Sequence, residues 1–256
     1  EMETGTLKNK MTFVGSSSAS VIYMSEKFLY VTYRHTGDTV DFLYGFAKQN
    51  SDLIPADITG KIEKLKSYDI SAQSKLNELG YIMQQFTASI QNQDDRLKLE
   101  NEMQNRMEKY FSDHKRELEL TGIVKISTDD LSMKASGEVP GVLLNQFSLD
   151  EYEGFLRAAV TVGGGGVFAG GFGGGSRATA NDVYVLDADM KTVGSVKDLG
   201  LEERIYSARF VMDKAYVVTF RQTDPFYVID LSSPENPKLA GELKIPGYSS
   251  YLHPIS

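Results

Sequence analysis

Cysteine is absent from the sequence, and histidine occurs only three times. The lack of cysteine excludes disulfides, thiolate nucleophiles and thiolate metal sites, although it does not indicate a cellular compartment. His35, His114 and His253 have neither the HxxxH nor the HExxH spacing of zinc sites. No Ser-His-Asp triad is recognisable either. The sequence therefore predicts no catalytic residue, no metal and no cofactor.

Long apolar runs and an excess of positive charge are also missing. No run of about 18 apolar residues is present, so we expect no membrane span in this segment. No signal-peptide pattern opens the sequence, so either the protein is cytosolic or a targeting segment or anchor would precede Glu1. The formal net charge is -8, from 35 acidic and 27 basic residues. Because binding to a phosphate backbone depends on clustered Lys and Arg, nucleic acid is not an expected partner.

An internal repeat is the most informative feature that the sequence does have. Residues 20–36 (SVIYMSEKFLYVTYRHT) align with residues 207–223 (SARFVMDKAYVVTFRQT), with six identities in seventeen pairs. Each copy has two β-rich runs joined by a Glu-Lys or Asp-Lys turn, which is typical of a β-hairpin. A second similarity joins ASGEVPG (135–141) to AGELKIPG (240–247) and matches Gly137 with Gly241.

Residues 207–247 predict four antiparallel strands in 41 residues. That length fits the roughly 40–45 residues of a four-stranded propeller blade. The two similarities have offsets of 187 and 104, so 187 − 104 = 83 residues are inserted in the first copy. A third unit between the copies repeats the strand order in FLRAAVTVG, NDVYVLDAD and KTVGSVKDLG. We therefore predict about three four-stranded blades and the start of a fourth at YSSYLHPIS.

The inserted segment, residues 38–120, has the spacing of α-helices rather than strands. Apolar residues recur at helical intervals in four stretches, and the stretch that begins at Leu76 follows 3-4-3-4 steps. Ser71 is a predicted N-cap, Asp94 and Asp95 suit a helix start, and Gly122 is a predicted helix stop. The predicted organisation is β-propeller blades at 1–37 and 121–256, with a small helical bundle inserted in the first blade.

Glycine dominates residues 162–178, VGGGGVFAGGFGGGSRA, and raises the question of a phosphate-binding loop. Such loops place the phosphate at the N-terminus of a following helix. Here the next segment, NDVYVLD, alternates like a strand, and no Lys stands in the Walker position. We therefore interpret the tract as a low-complexity loop between two strands of one blade.

Two aspartates in the third unit, Asp187 and Asp189, resemble a metal-binding DxD pair. Asp187, however, matches Asp230 in the following unit. A residue that recurs from unit to unit is explained by architecture, here a side-chain cap on the turn after the third strand. We interpret the recurring Thr32 and Thr219 in the same way.

A polar cluster within LNQFSLDEYEGFLR does not recur in the other units. Inner strands and their loops line the channel and the top face of a propeller, where such rings bind partners. We therefore predict a partner-binding surface here, while these groups could also satisfy one another at a junction between blades. Its residues are Asn145, Gln146, Asp150, Glu151 and Arg157.

Several motifs together resemble a prokaryotic family of secreted or membrane-anchored proteins with a C-terminal β-propeller distantly related to WD40 repeats. The motifs are ASGEVPGVLLNQFSLDEYEGFLRAA, NDVYVLD, LELTGIVKIS and the long run from Ile205 to Ile255. The resemblance implies an extracytoplasmic location. It implies no established reaction, so no functional residue is carried over.

Two functions remain open at this point. The first is a non-catalytic extracytoplasmic module for protein–protein interaction or cell-surface structure. The second is a ligand- or metal-binding propeller, or a hydrolytic one, that uses acidic residues such as Asp150 and Glu151 near the central channel. Propellers close with 4 to 8 blades, and three blades alone would expose apolar sheet faces. We therefore expect either that the segment belongs to a longer chain or that other proteins or copies of itself complete the ring.

Overall fold

The computed structural model describes residues 20–163, 179–220 and 224–245. These residues are mainly β, with thirteen strands and four α-helices, which confirms the predicted class of a β protein with helices. They fall into two compact units. The β unit holds all the sheets, and the helical unit comprises residues 36–118.

The first sheet has four strands in the order β1-β2-β3-β4. Its strands are β1 (Ile22–Met24), β2 (Phe28–Thr36), β3 (Glu119–Ser127) and β4 (Met133–Pro140). The predicted hairpin is present, because β1 and β2 pair antiparallel with Met24 opposite Leu29. All four helices lie between β2 and β3 in sequence.

The second sheet has four strand positions, and its first position is split between two short strands. These are β5 (Val142–Leu143) and β6 (Leu149–Tyr152), and both pair with β7 (Phe155–Val162). The sheet continues with β8 (Ala180–Leu186) and β9 (Thr192–Leu199). A short 3-10 helix, Gln146–Ser148, separates β5 from β6. Strands of two and four residues carry too little periodicity to be recognised in the sequence.

The third sheet repeats the same arrangement without interruption. Its strands are β10 (Arg204–Val211), β11 (Lys214–Phe220), β12 (Asp224–Asp230) and β13 (Lys238–Ile245), in that order. Each neighbouring pair is antiparallel. The described residues thus form three antiparallel sheets of four strand positions, and none of the sheets closes on itself.

Four helices form the helical unit, and three of them begin at a residue that caps the backbone. They are α1 (Thr39–Gln49), α2 (Ala56–Lys66), α3 (Ala72–Ala88) and α4 (Gln93–Asp113). The predicted N-cap is confirmed, because the Ser71 hydroxyl accepts a hydrogen bond from the Ser74 amide. Asp94 and Asp95 lie in the first turn of α4, where carboxylates favour the helix dipole.

The predicted helix stop at Gly122 is wrong. α4 already ends at Asp113, and Gly122 lies within β3, opposite Glu138 of β4. The β-branched run that follows the glycine favours a strand over a helix end. A Cβ at Gly122 would lie 2.3 Å from Cζ of Tyr33, so the glycine allows the tyrosine ring to approach the backbone.

Two apolar layers hold the three sheets of the β unit together. Fully buried residues of the first two sheets form one layer, including Tyr30, Ile123, Val139, Leu156 and Val160. The second layer lies between the second and third sheets and includes Val183, Val185, Ala215, Val217 and Ile229. Each buried valine, leucine or isoleucine side chain contributes about 1.5–3 kcal/mol through burial of apolar area.

Glycines at equivalent positions of the fourth strands mark the contacts between successive sheets. A Cβ at Gly137 of β4 would lie 2.1 Å from the Met190 carbonyl oxygen, in the second sheet. A Cβ at Gly194 of β9 would likewise lie 2.2 Å from the Pro234 carbonyl oxygen, in the third sheet. At Gly241 of β13 an added Cβ would meet no atom of the described chain within 4 Å. The third sheet therefore has the same glycine without a neighbouring turn in the part of the chain that the structure describes.

The turn after the third strand is capped as predicted in the second and third sheets. The Asp187 carboxylate accepts hydrogen bonds from the amides of Asp189 (3.0 Å) and Lys191 (2.9 Å). Asp230 accepts from the Ser232 amide at 3.0 Å. The aspartates thus satisfy turn amides, which is the architectural role inferred from their recurrence.

The cap at Asp230 predicts a stability change at acid pH. The Ser232 amide first, and then the Lys214 ammonium, lower the pKa of Asp230 from 3.8 to about 2. A lowered pKa in the folded state gives stability that is present above pH 3.8 and is lost as the pH falls towards 2. Asp230→Asn should therefore lower Tm at pH 6, with a difference from wild type that shrinks between pH 4 and pH 2. Circular-dichroism melts across this range test it, and a pH-independent difference would contradict it.

Candidate functional site

A pocket of about 440 Å³ lies where the first strands of the three sheets meet. β1, β10 and the segment formed by the 3-10 helix and β6 each contribute to its wall. The lining combines apolar, aromatic and charged side chains: Ile22, Tyr23, Met24, Gln146, Phe147, Leu149, Asp150, Arg209 and Phe210. Polar and apolar groups thus converge on one concave space, as they do in a binding pocket.

The 3-10 helix brings two residues to this pocket. Asn145 precedes the helix, and its side chain accepts a hydrogen bond of 2.9 Å from the Phe147 amide. This cap turns the chain so that Gln146 and Phe147 line the pocket before β6 begins. The guanidinium carbon of Arg209, on β10, lies 3.9 Å from the centre of the Phe147 ring. The cation–π contact places an arginine and an aromatic ring side by side in the wall.

Asp150 and Arg157 form an ion pair beside the pocket, as opposite residues of β6 and β7. The Arg157 side chain is only 4% exposed, and its guanidinium also donates a hydrogen bond to the Met212 carbonyl oxygen. The same guanidinium lies 5.0 Å from the Tyr152 ring and 5.2 Å from the Phe210 ring. Arg157 therefore joins the second sheet to the third rather than reaching into the pocket.

Burial affects the ionisation of two groups in the pocket wall. It raises the pKa of Asp150, and the guanidinium of Arg157 opposes that rise. Burial also raises the pKa of Tyr23, so its hydroxyl remains protonated at neutral pH. The pocket thus offers a partly exposed carboxylate, a phenol and an amide as hydrogen-bonding groups.

Glu151 lies on the other face of β6, because successive residues of a strand point to opposite faces. Its carboxylate accepts a hydrogen bond from the Ser25 hydroxyl, and its amide donates to the Tyr23 hydroxyl at 3.0 Å. Burial first, and then the Glu151 charge, raise the pKa of Tyr30. Glu151 therefore links the second sheet to the first. The carboxylates of Asp150 and Glu151 do not converge on one site.

The structure divides the five sequence candidates into two groups. Gln146 and Asp150 line the pocket, whereas Asn145, Glu151 and Arg157 hold the surrounding backbone and sheets in place. In the part of the chain that the structure describes, no group of three or more His, Cys, Asp and Glu side chains could hold a metal ion.

His35 and His114 are not among the residues that line the pocket. His35 contacts Glu138 at 3.2 Å, and His114 ends α4 and stacks on Tyr110 with ring centres 3.9 Å apart. His253 and residues 164–178 of the glycine tract fall outside the described residues.

Sequence reasoning missed the contributions of β1 and β10 to the pocket. Tyr23 and Phe210 are an aligned pair of the repeated hairpin, a position that suggests architecture rather than binding. Arg209 corresponds to Ile22 in that alignment, and this departure from an apolar residue was the available signal. Only the folded arrangement shows that these residues face Gln146 and Asp150.

A buried polar hub in the second sheet was also missed. Asn181 is fully buried at the start of β8, and its amide donates to the Leu199 carbonyl oxygen at 3.0 Å. Its side-chain oxygen accepts from the Thr161 hydroxyl at 2.7 Å, and that hydroxyl accepts from the Ile205 amide at 3.1 Å. This chain of bonds joins β7 and β8 to the first strand of the third sheet.

Four-stranded antiparallel sheets that pack face to face, with their first strands around a common pocket, define a bladed β architecture. The chain belongs to the family described as "Beta propeller domain", whose sequence model matches residues 2–256. The β-propeller expected from the repeat is therefore shown at the level of the family. Among the described residues, none of the helices is long and apolar enough to cross a membrane.

Two archaeal proteins are similar to the whole of this chain. A protein of Archaeoglobus fulgidus is 49% identical over 257 residues, which cover 100% of this chain and 39% of that protein. A protein of Methanocaldococcus jannaschii is 38% identical over 256 residues, which cover 99% of this chain and 39% of that protein. Both relatives carry the name "Uncharacterized protein". The chain thus spans about two fifths of the length of these relatives.

Proposed function

We propose that this chain supplies three blades to a β-propeller that acts as a non-catalytic, extracytoplasmic module for protein–protein interaction. In this proposal the partner binds at the pocket formed by β1, β6 and β10. The observation that carries it is the composition of that pocket: Tyr23, Phe147, Arg209 and Phe210 surround the polar side chains of Gln146 and Asp150. Tyrosine, other aromatics and arginine are the residue types enriched at the centres of protein interfaces.

The size of the pocket and its charges are also compatible with a protein partner. About 440 Å³ accommodates one or two side chains of a bound segment rather than a large cofactor. The ion pair with Arg157 occupies part of the Asp150 carboxylate, which leaves it suited to accept a single hydrogen bond. The pocket therefore has a polar group to orient a segment and aromatic rings to bury it.

Continuation of the ring beyond the third sheet is supported by the outer face of that sheet. Gly137, Gly194 and Gly241 stand opposite Ile123, Val185 and Val228 of the third strands, respectively. Ile123 and Val185 are 0% and 1% exposed, whereas Val228 is only half-buried. Leu243 on the same face is 59% exposed. In our proposal a further blade covers this face as the second and third sheets cover those before them, and the greater length of the relatives supports a source within the same polypeptide.

The proposal also includes the cellular location of the protein and its distant relationship to WD40 repeats. The resemblance of the quoted motifs to secreted or anchored propeller proteins distantly related to WD40 repeats supports an extracytoplasmic site of action. Protease treatment of intact cells that produce the full-length protein tests it. Digestion of the propeller without lysis is the expected result, and complete protection until lysis would contradict it.

The binding proposal is tested with phage-displayed peptides that are selected on the wild-type protein. Arg209→Ala should weaken binding of the selected peptides by about 10-fold or more, because truncation of a hot-spot arginine at the centre of an interface costs about 2 kcal/mol or more. Arg204→Ala is the matched control, since Arg204 lies on the same strand but does not line the pocket. Calorimetric titration of each variant with a synthetic peptide measures the difference.

Equal losses in the two arginine variants, or none in either, would contradict binding at this pocket. A thermal-shift panel of Ca²⁺, Mg²⁺ and sugars addresses the other function. If one of these ligands raises the Tm of the wild-type protein and Asp150→Ala abolishes that rise, a ligand- or metal-binding propeller would be supported instead.

A further inference from the structure

The helical unit encloses a cavity of about 180 Å³. Side chains from all four helices line it, together with Ile54 from the α1–α2 connection. Phe46 and Ile62 in its wall are each 1% exposed, and Met83, Met103 and Met107 complete one side. All the lining residues are apolar or glycine.

A glycine in the apolar face of α3 accounts for the cavity. Leu76, Leu79 and Met83 follow one another at helical spacing and line the cavity, and Gly80 lies among them in the same stripe. A Cβ at Gly80 would meet no heavy atom of the described residues within 4 Å. Gly80 is exposed to solvent, so the cavity opens to the surface beside it. A glycine within a helix lowers the stability of the helix relative to alanine, so the open space beside Gly80 is accompanied by a loss of helix stability.

The chemistry of the wall decides what can occupy the space. A buried water needs two to four polar partners, and the lining side chains provide none. Apolar cavities of roughly 150 Å³ in other proteins stay dry and bind benzene or xenon. Three methionines add adaptable, polarizable surface that fits ligands of differing shape.

We propose that the helical unit binds a small, uncharged, nonpolar molecule of about the size of benzene, which enters beside Gly80. The volume accommodates a single ring or a short alkyl group and is too small for a long acyl chain. A carboxylate or ammonium group would be desolvated in this wall without a partner, so charged analogues are excluded.

The test titrates benzene into the full chain and into two glycine variants by calorimetry. Gly80→Leu should weaken benzene binding by at least about 10-fold, because the leucine side chain would occupy the space of the ligand. Gly60→Leu is the matched control: Gly60 also lies within a helix, a Cβ there is equally unobstructed by the described chain, and it does not line the cavity. This control should bind benzene within about 2-fold of wild type. Benzoate, which differs by one carboxylate, should not bind.

Three results would overturn the inference: no benzene binding to the wild-type protein, equal binding by Gly80→Leu, or equal binding of benzoate. Circular dichroism verifies that both variants are folded, and Gly80→Met provides a second, more flexible filling of the cavity. The residues that line this cavity and those that line the proposed peptide pocket are different. Arg209→Ala should therefore leave the benzene affinity unchanged.

Discussion

Gly137→Ala and Gly194→Ala are each expected to destabilise the β unit by about 1–3 kcal/mol, whereas Gly241→Ala should change its stability by less than about 0.5 kcal/mol. At the first two positions the new methyl group would lie 2.1 and 2.2 Å from a backbone carbonyl oxygen of the next sheet. Such a contact cannot be relieved by a side-chain rotation, so one sheet must move away from the other. At Gly241 the described chain leaves the space open.

Urea unfolding at 25 °C, followed by the fluorescence of the tyrosines, measures the three variants against wild type. Gly241→Ala is the internal control, because it makes the same chemical change at the equivalent place in β13. A cost at Gly241 equal to that at Gly194 would mean that the outer face of the third sheet is already covered. That result would remove the main support for a further blade on this face.

The equivalence of these glycines shows how far the sequence alone could reach. Its repeat placed Gly137 and Gly241 in the same position of two blades, and the strands lie where the repeat predicts them. The repeat could not show that a side chain at this position would clash with the next sheet. That requires the distance from Gly194 to the Pro234 carbonyl, which arises only when two sheets pack.

A local signal predicted the start of one helix, where a side chain caps its own backbone. That residue is Ser71, whose hydroxyl needs only the amide three residues on. The helix stop predicted at Gly122 was wrong because a glycine after a helical run is equally suited to a close approach of another group within a strand. The choice between those roles depends on Tyr33, which is remote in sequence.

The candidate site was predicted in part. The polar, non-repeating segment drew attention to Gln146 and Asp150, both of which line the pocket. The same reasoning could not separate them from Glu151 or Arg157, whose partners Ser25 and Met212 belong to other sheets. Polar residues at a junction between blades and polar residues in a binding pocket have the same appearance in a sequence. Only their hydrogen-bond partners distinguish them.

Arg157→Met is expected to destabilise the β unit by about 3–4 kcal/mol, since removal of one partner from a buried ion pair costs roughly 3–5 kcal/mol. Methionine keeps much of the length and the apolar contact with Tyr152 and Phe210 but donates no hydrogen bond. The Asp150 carboxylate, 27% exposed, would lose its cation, and the Met212 carbonyl oxygen would lose its donor. The second and third sheets would then lack their polar link at this point.

The pH dependence of that variant separates the ion pair from simple packing. Without the guanidinium, the pKa of Asp150 should rise further, because burial is then unopposed. A raised pKa in the folded state gives stability that is present at low pH and is lost as the pH rises through that pKa. The loss of unfolding free energy in Arg157→Met relative to wild type should therefore be largest at neutral pH and shrink towards pH 4. Adding Asp150→Asn to this variant should recover part of the loss at pH 7. Urea unfolding of the two single variants and the double variant at both pH values measures this coupling. A deficit that is independent of pH and of Asp150 would assign the role of Arg157 to its stacking on Tyr152 and Phe210 alone.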